Sequence, residues 1–425
     1  MQIIVHRGID QIGGCITEVR TARTKIFIDL GRNLPQGNQP VDDKLDDAEA
    51  ISRLCEGCDA VCYTHYHGDH IDLFRHVPEQ VVQYVGPLAK EVMRIKLERM
   101  MRYGGRQEQR EHELALLERF RTYVPAHKIQ IGDIGLTPFL VSHSAADAYM
   151  FLIEADGKVV LHTGDFRQHG YLGKGLIPTL NKYILPRGID VLICEGTMLG
   201  RQEQEIVPEN ALKKQFLEVM KKYRNVLVLC SSTDMDRLAT SYQANRMLRV
   251  RPFVCDRYQK QILTLFAQTA GVKSDLYGFD QVYDGEVLNA KLRQWIMKEG
   301  FTMLIRNSRS CRRMLDLVLP ELHPDETVLV YSMFPGYILP SHEAYNPDLD
   351  AFVSQFPHRE HIHTSGHASP ETLALLCRLT RPRLAIVPIH RDKGSDFAAL
   401  DIGDTLRSRI VTASCKVEDV DIVVR

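Results

Sequence analysis

Five short apolar runs in this 425-residue chain lead to a histidine or a carboxylate. DAVCYTH stops at His65, LTPFLVSH at His143, KVVLHTGD at Asp165 and RLAIVPIH at His390, while DVLICEGT carries Glu195 near its end. Each run has the length and the β-branched content of a buried strand. A strand buried along its length can deliver an ionisable group only where the sheet stops and a loop begins, and α/β folds gather their ligand sites at that edge. Five such endings constrain the chain to a fold in which several strands aim their C-terminal ends at one place. Helical stretches alternate with the runs, which gives an α/β class.

Residues around 86–125 (PLAKEVMRIKLERMMRYGGRQEQREHELALLERF and beyond) read as a long, charged, helical excursion between two site-bearing strands. From about residue 205 a second α/β pattern begins. NVLVLCSSTDMDRLATSYQANRML reads as strand, serine-rich turn and helix, and RPFVCDRYQKQILTLFAQ and TVLVYSMFPGY repeat the strand-then-turn theme. Histidine-rich motifs are missing between about 205 and 340 and resume at HIHTSGHAS. The expected organisation is a first domain begun over 1–204, an inserted domain over 205–345 and a completing segment over 346–425.

Composition narrows the function classes. The chain is 44% hydrophobic and 25% charged, as ordinary globular proteins are. Its net charge of -1 excludes a uniformly basic nucleic-acid binder but leaves room for a local basic groove, because a field depends on where charges sit. No run of eighteen apolar residues occurs, and MQIIVHRGIDQIGG begins like a strand rather than a signal peptide, so no membrane association and a cytoplasmic location are expected. Most of the ten cysteines, Cys194 and Cys230 among them, sit in apolar runs and read as buried, reduced thiols. Cys55 and Cys58 form a C-x-x-C with Cys62 close behind, but a second ligand pair is missing, so packing is their expected role.

THYHGDH concentrates the chemistry. Residues two apart in an extended segment point the same way, so His65 and His67 can share one metal ion, while Asp69 and His70 in the following turn can reach a second. Imidazole and carboxylate ligands suit zinc or manganese. His143 would join His65 and His67, His390 would join Asp69 and His70, and Asp165 would bridge the two ions through its carboxylate. A pair of divalent ions of this kind activates a hydroxide and clamps a phosphate oxygen.

The H-x-H-x-D-H pattern resembles the metallo-β-lactamase superfamily, and the chain looks like a member of its β-CASP group of nucleic-acid-processing proteins, closest in type to the ribonuclease J family. The resemblance runs from the first strand to His390, and HIHTSGHASPETLALLCRLTRPRLAIVPIH carries it throughout. It implies a four-layer αβ/βα sandwich with an inserted α/β β-CASP domain, and two divalent metal ions, zinc first and manganese second. It implies support of the ligand loop for Asp29 in FIDLG, and it matches Glu195, His367 and His390 to the group's three additional motifs. The histidine at the third of these leans toward RNA, with DNA not excluded. The family's dimers make a homodimer compatible with this chain. Gly-Glu commonly follows the last histidine in ribonuclease J types, whereas Arg391-Asp392 stand here, and the chain is expected to lack the family's C-terminal domain.

The chemistry of the residues agrees with that likeness. Phosphodiester hydrolysis needs a proton for the leaving oxygen, and His367 could supply it, held and kept charged by Glu195. Asp69, His367 and Glu195 form the expected catalytic group. Ser231, Ser232 and Thr233, between a strand and a helix, either hold a substrate phosphate or simply cap the helix. His363 and Ser365 in HTSGH offer a second phosphate contact. Arg306, Arg309, Arg312 and Arg313 in IRNSRSCRRM suit a nucleic-acid channel or a solvated helical face equally. The expectation is thus a metal-dependent ribonuclease, 5′ exonuclease or endonuclease, that hydrolyses single-stranded RNA by a two-metal-activated hydroxide. The alternatives are a metallo-hydrolase of DNA or of a small ester or phosphodiester, and a scaffold with a dead site.

Overall fold

The computed structural model describes residues 1–34, 47–103, 106–201 and 205–425. These fall into two compact units. Residues 1–34, 47–103, 106–201 and 366–425 build the first, and residues 205–365 the second.

The first unit contains two sheets. Eight strands run in the order Cys415–Val417, Val420–Val424, Gln2–Arg7, Ile16–Arg20, Lys25–Ile28, Ala60–Cys62, Val82–Val85 and Arg121–Thr122. Six more run in the order Ala385–Ile389, Val191–Glu195, Lys158–His162, Ala148–Ala155, Ile134–Val141 and Ile129–Ile131. The period of two along a strand decides which layer each residue joins. Tyr149, Phe151 and Ile153 pack into a core shared with Ile3, Val5, Ile26 and Ile28 of the other sheet. Their neighbours Met150 and Leu152 face the opposite way, against Leu176, Leu180, Ile184, Leu373 and Leu376 from helical segments. Beyond the eight-stranded sheet, Phe120 stacks on Tyr63 and meets Phe74 edge-on, at ring separations of 5.8 and 5.7 Å. Helix, sheet, sheet and helix thus lie in four layers. Each fully buried large side chain contributes about 1.5–3 kcal/mol of gross burial energy.

Segments distant in sequence complete these sheets. Ile422 near the end pairs with Ile3 at the start, and Val387 pairs with Ile193. The excursion expected around 86–125 contains two helices, Pro87–Tyr103 and Gln107–Glu118, before the edge strand Arg121–Thr122.

The second unit is built on a six-stranded sheet whose described pairings are all parallel, in the order Val282–Asp284, Phe253–Cys255, Phe301–Ile305, Asn225–Cys230, Thr327–Ser332 and Arg359–His361. Parallel strands are covered on both faces, which explains the unbroken apolar runs NVLVLC and TVLVYS. A polar knot lies inside this unit. Arg237 and Glu209 are each 1% exposed and paired at 3.1 Å, and Thr240 donates to Glu209 at 2.7 Å. The unit extends to Ser365, past the end at 345 expected from the sequence, because Arg359–His361 adds to its sheet beside Thr327–Ser332. That edge strand reads REH, so no apolar pattern marks it.

Candidate metal centre and its acid pair

The strand endings of the first unit converge as a group. His65 and His67 follow Ala60–Cys62, and His67 immediately precedes the short helix Gly68–Ile71 that carries Asp69 and His70. His143 follows Ile134–Val141, Asp165 follows Lys158–His162, Glu195 ends Val191–Glu195, and His390 follows Ala385–Ile389. His367 lies just before helix Pro370–Thr380. Glycine makes one close approach feasible. A Cβ on Gly31 would stand 1.7 Å from the Asp69 carbonyl oxygen, and on either side of it Leu30 donates to the His70 carbonyl and Arg32 to that of Gly68. His390 has a left-handed backbone, φ 50°, held where its N–H donates to the Gly8 carbonyl.

Hydrogen bonding at Nδ1 fixes the protons of four histidines. His143 Nδ1 faces the Gly366 carbonyl at 2.7 Å, and a carbonyl only accepts, so Nδ1 carries the proton. His70 Nδ1 donates in the same way to the Asp29 carboxylate at 2.8 Å. The Thr64 hydroxyl donates to Asp29 at 2.7 Å and therefore accepts from His65 Nδ1 at 3.0 Å. The Thr197 hydroxyl, spending its proton on the His390 carbonyl at 3.1 Å, accepts from His390 Nδ1 at 2.7 Å. Each ring then presents Nε2 as a bare lone pair, the form that binds a cation. Nε2 of His65 is buried without a hydrogen-bond partner, and Nε2 of His70 faces the Asp165 carboxylate. Orphaned buried acceptors of this kind cost about 1–3 kcal/mol each unless something electropositive meets them. The donor set thus fits divalent cations.

Asp165 is the pivot. Its Oδ2 lies 3.1 Å from His70 Nε2, 3.6 Å from His390 Nε2 and 3.9 Å from His143 Nε2. Donor atoms of His65, His67 and His143 lie within 4.8 Å of one another, as do those of His65, His70 and Asp165. His143 Nε2 also approaches His67 Nδ1 at 3.3 Å, and Asp69 Oδ2 approaches His390 Nε2 at 3.3 Å. Burial holds His65 and His143 well below the usual histidine range and pushes His67 down to about 4, keeping them neutral. Burial opposes charge on His70 as well, but Asp165, Asp29 and Asp69 outweigh it and hold its pKa well above the ordinary value. Asp69 and Asp165 remain well below the carboxylate range despite burial, because the surrounding histidines favour the anion. The carboxylates therefore call for positive charge at the point where the rings meet.

A second constellation adjoins it. Glu195 is fully buried, its Oε1 accepts from the backbone N–H groups of Phe166 and Ala368 at 3.0 and 3.3 Å, and its Oε2 meets His367 Nδ1 at 3.0 Å. His367 Nδ1 lies 3.7 Å from Asp165 Oδ2, and the His367 ring stacks on His390 at 5.3 Å. Burial lowers the His367 pKa, but the Glu195 and Asp165 charges overcome this and raise it above the ordinary value.

A family model described as beta-lactamase superfamily domain matches residues 28–229. The chain is similar to that superfamily over just under half of its length. It is 22% identical over 410 residues to ribonuclease J of Helicobacter pylori strain B128, covering 90% of this chain and 55% of that protein. Ribonuclease J of strain J99 matches equally, with 54% of its length covered. The chain thus spans about half the length of these curated relatives. A crystal structure of a protein of unknown function from Enterococcus faecalis V583 shares the fold, with a TM-score of 0.71 at 18% identity over 94% of this chain and 96% of that one. Members of the superfamily hold divalent metal ions, in keeping with the His and Asp groups here.

Other expected site residues lie in the second unit. Ser231 and Ser232 follow Asn225–Cys230, but Asp234, and not the serines, caps helix Met235–Leu248, with its side chain accepting from the Arg237 N–H. His363 Nδ1 meets Arg237 at 3.3 Å, and Ser365 is buried. The arginine stretch divides. Arg306 ion-pairs with Asp256 and lies over the Tyr258 ring, whereas Arg309, Arg312 and Arg313 are exposed. Cys55 and Cys62 are buried, and no group of metal-ligand type among the described residues includes Cys55, Cys58 or Cys62. Arg391, where the ribonuclease J likeness expects glycine, is buried and ion-paired to Asp10 at 2.7 Å. Sequence reasoning missed Thr197, Cys15 and the Gly366 carbonyl. Thr197 follows Glu195 in CEGT, and a hydroxyl so close to a site-bearing strand end was the available signal. No helix among the described residues is long and apolar enough to cross a membrane.

Proposed function

We propose that this chain is a two-metal nuclease, a ribonuclease acting on single-stranded RNA. The Glu195–His367 pair beside the Asp165 pivot carries the reading. His65, His67 and His143 would hold one ion, Asp69, His70 and His390 the other, and Asp165 would serve both. Divalent ions there, zinc by the nitrogen-rich ligand set and manganese as the substitute, supply Lewis acidity toward a phosphoryl oxygen and make water nucleophilic near neutral pH.

The protein's own groups do the rest. Glu195 is anchored by two backbone N–H groups, so its second oxygen has one task, to hold His367 Nδ1–H. Proton exchange at His367 then runs through Nε2, and the raised pKa favours the imidazolium that can donate to a leaving oxygen. Thr197 keeps the neighbouring His390 in the ligand tautomer. Ser231, Ser232, His363 and Ser365 are proposed to receive a substrate phosphate, with Arg237 fixing the His363 ring. The likeness to ribonuclease J supports RNA as the polymer and a homodimer as an assembly to test.

The test uses 5′-monophosphorylated single-stranded RNA labelled at either end, with zinc or manganese, beside DNA of the same sequence. Mononucleotides released from the 5′ end identify an exonuclease, and internal fragments an endonuclease. Equal cleavage of DNA widens the substrate class. Intact polymers from protein that holds two ions refute the nuclease reading and leave a small-molecule hydrolase.

A further inference from the structure

Cys15 stands outside the ligand set assigned above, in the loop between Gln2–Arg7 and Ile16–Arg20, and it is 2% exposed. Two backbone hydrogen bonds fix it. Its N–H donates to the Asp69 carbonyl at 3.0 Å, and its carbonyl accepts from the Gly31 N–H at 3.0 Å. The same Asp69 and the segment after Lys25–Ile28 therefore place both the histidine cluster and this thiol. Gly8 leaves the sulfur its room, since a Cβ at Gly8 would meet it at 3.1 Å. The Cys15 sulfur and ring nitrogens of His70 and His390 all lie within 4.8 Å of one another. Asp29 holds His70 Nδ1 and Thr197 holds His390 Nδ1, so both rings turn Nε2 away from those partners. Metal–sulfur and metal–nitrogen lengths of about 2.3 and 2.0–2.1 Å place a sulfur and a nitrogen on one ion roughly 3–3.5 Å apart, which the cluster accommodates.

We propose that Cys15 is a protein ligand of the ion at Asp69, His70 and His390, and that its thiolate makes that position selective for zinc over manganese. This rests on the two-metal reading above. On binding, the S–H bond breaks, its proton passes to solvent and a sulfur–metal bond forms. A soft thiolate favours zinc, whereas manganese is matched by harder oxygen ligands. The two positions then differ in kind, with three histidines at one and a sulfur at the other.

The test loads apo-protein with cobalt(II) as a spectroscopic stand-in for zinc and counts bound ions by equilibrium dialysis. With two ions bound, the wild-type protein should show a near-ultraviolet sulfur-to-cobalt charge-transfer band that Cys15→Ser lacks. The variant should lose about tenfold or more in zinc affinity at one of its two positions while manganese affinity is unchanged. X-ray absorption of the wild-type zinc protein needs no variant and should show a sulfur shell at about 2.3 Å. Two bound ions with no sulfur band and no sulfur shell overturn the assignment of Cys15 alone. Failure to bind any ion overturns the two-metal reading, and this proposal with it.

Discussion

Asp29 is the single residue on which the histidine tautomers depend most, and Asp29→Asn tests that dependence. The carboxylate accepts three hydrogen bonds, from the Thr64 N–H at Oδ1 (2.7 Å) and from the Thr64 hydroxyl (2.7 Å) and His70 Nδ1 (2.8 Å) at Oδ2. An asparagine of the same shape has one acceptor oxygen. With that oxygen at the Oδ2 position, its NH2 faces the Thr64 N–H, donor against donor. With the amide reversed, the NH2 faces His70 Nδ1 and the Thr64 hydroxyl, so His70 must move its proton to Nε2 and no longer offers a lone pair there. The hydroxyl that holds His65 Nδ1 loses its acceptor at the same time. One buried donor left unsatisfied costs about 1–3 kcal/mol. Loss of a partner behind a metal-binding histidine commonly costs about 10–100-fold in affinity, or about 1.4–2.8 kcal/mol. Two measurements separate these terms. Thermal melting of the metal-free variant should fall by several degrees, at about 2–4 °C per kcal/mol for a unit of this size. Competition with a zinc-binding dye should show the affinity loss. A variant that melts with the wild type and binds zinc equally well refutes the argument that Asp29 sets the tautomers.

Three further outcomes are expected. His367→Ala should slow RNA cleavage roughly 100- to 10,000-fold with two ions still bound, and Glu195→Gln should fall between this variant and the wild type; unchanged rates by gel assay would remove the pair from the mechanism. Arg237→Met should destabilise the protein by about 3–5 kcal/mol in urea unfolding, because it strands the buried Glu209 carboxylate; a loss below about 1 kcal/mol contradicts the pairing. Metal-free protein should lose stability as pH falls from about 6.5 toward 4, because burial pushes both His67 and His162 down to about 4. Below the unfolded-state pKa the unfolded chain binds protons that these native rings refuse, so each contributes up to about 3 kcal/mol to the loss by pH 4. His70 and His367, raised in the fold, work the other way and add stability that is present at low pH and fades as pH rises through their folded pKa values. Melting points that stay level from pH 7 to 5 would contradict dominance of the depressed rings.

The chain order of residues decided what was legible. Apolar runs that stop at His65, His143, Asp165, Glu195 and His390 are local patterns, as is the spacing of THYHGDH, so the α/β class and the candidate ligands are legible along the chain. Burial follows from side-chain chemistry at a period of two, and a buried strand must release its ionisable group at its end. Partnership does not follow in this way. Thr197 holds His390 across 193 positions, Gly366 holds His143 across 223, and nothing local to a threonine or a glycine carbonyl announces that task. Cys15 reads as one more buried thiol until the backbone of Asp69 brings it beside His70. The charged edge strand Arg359–His361 joins a sheet with no apolar pattern of its own, so the extent of the second unit was settled only by pairing in space. The sequence by itself determined which residue types could bind ions and on which strands they end. The tertiary structure decided which ring nitrogen faces inward and what holds it there, because hydrogen-bond partners are chosen by distance in the fold and not by distance along the chain.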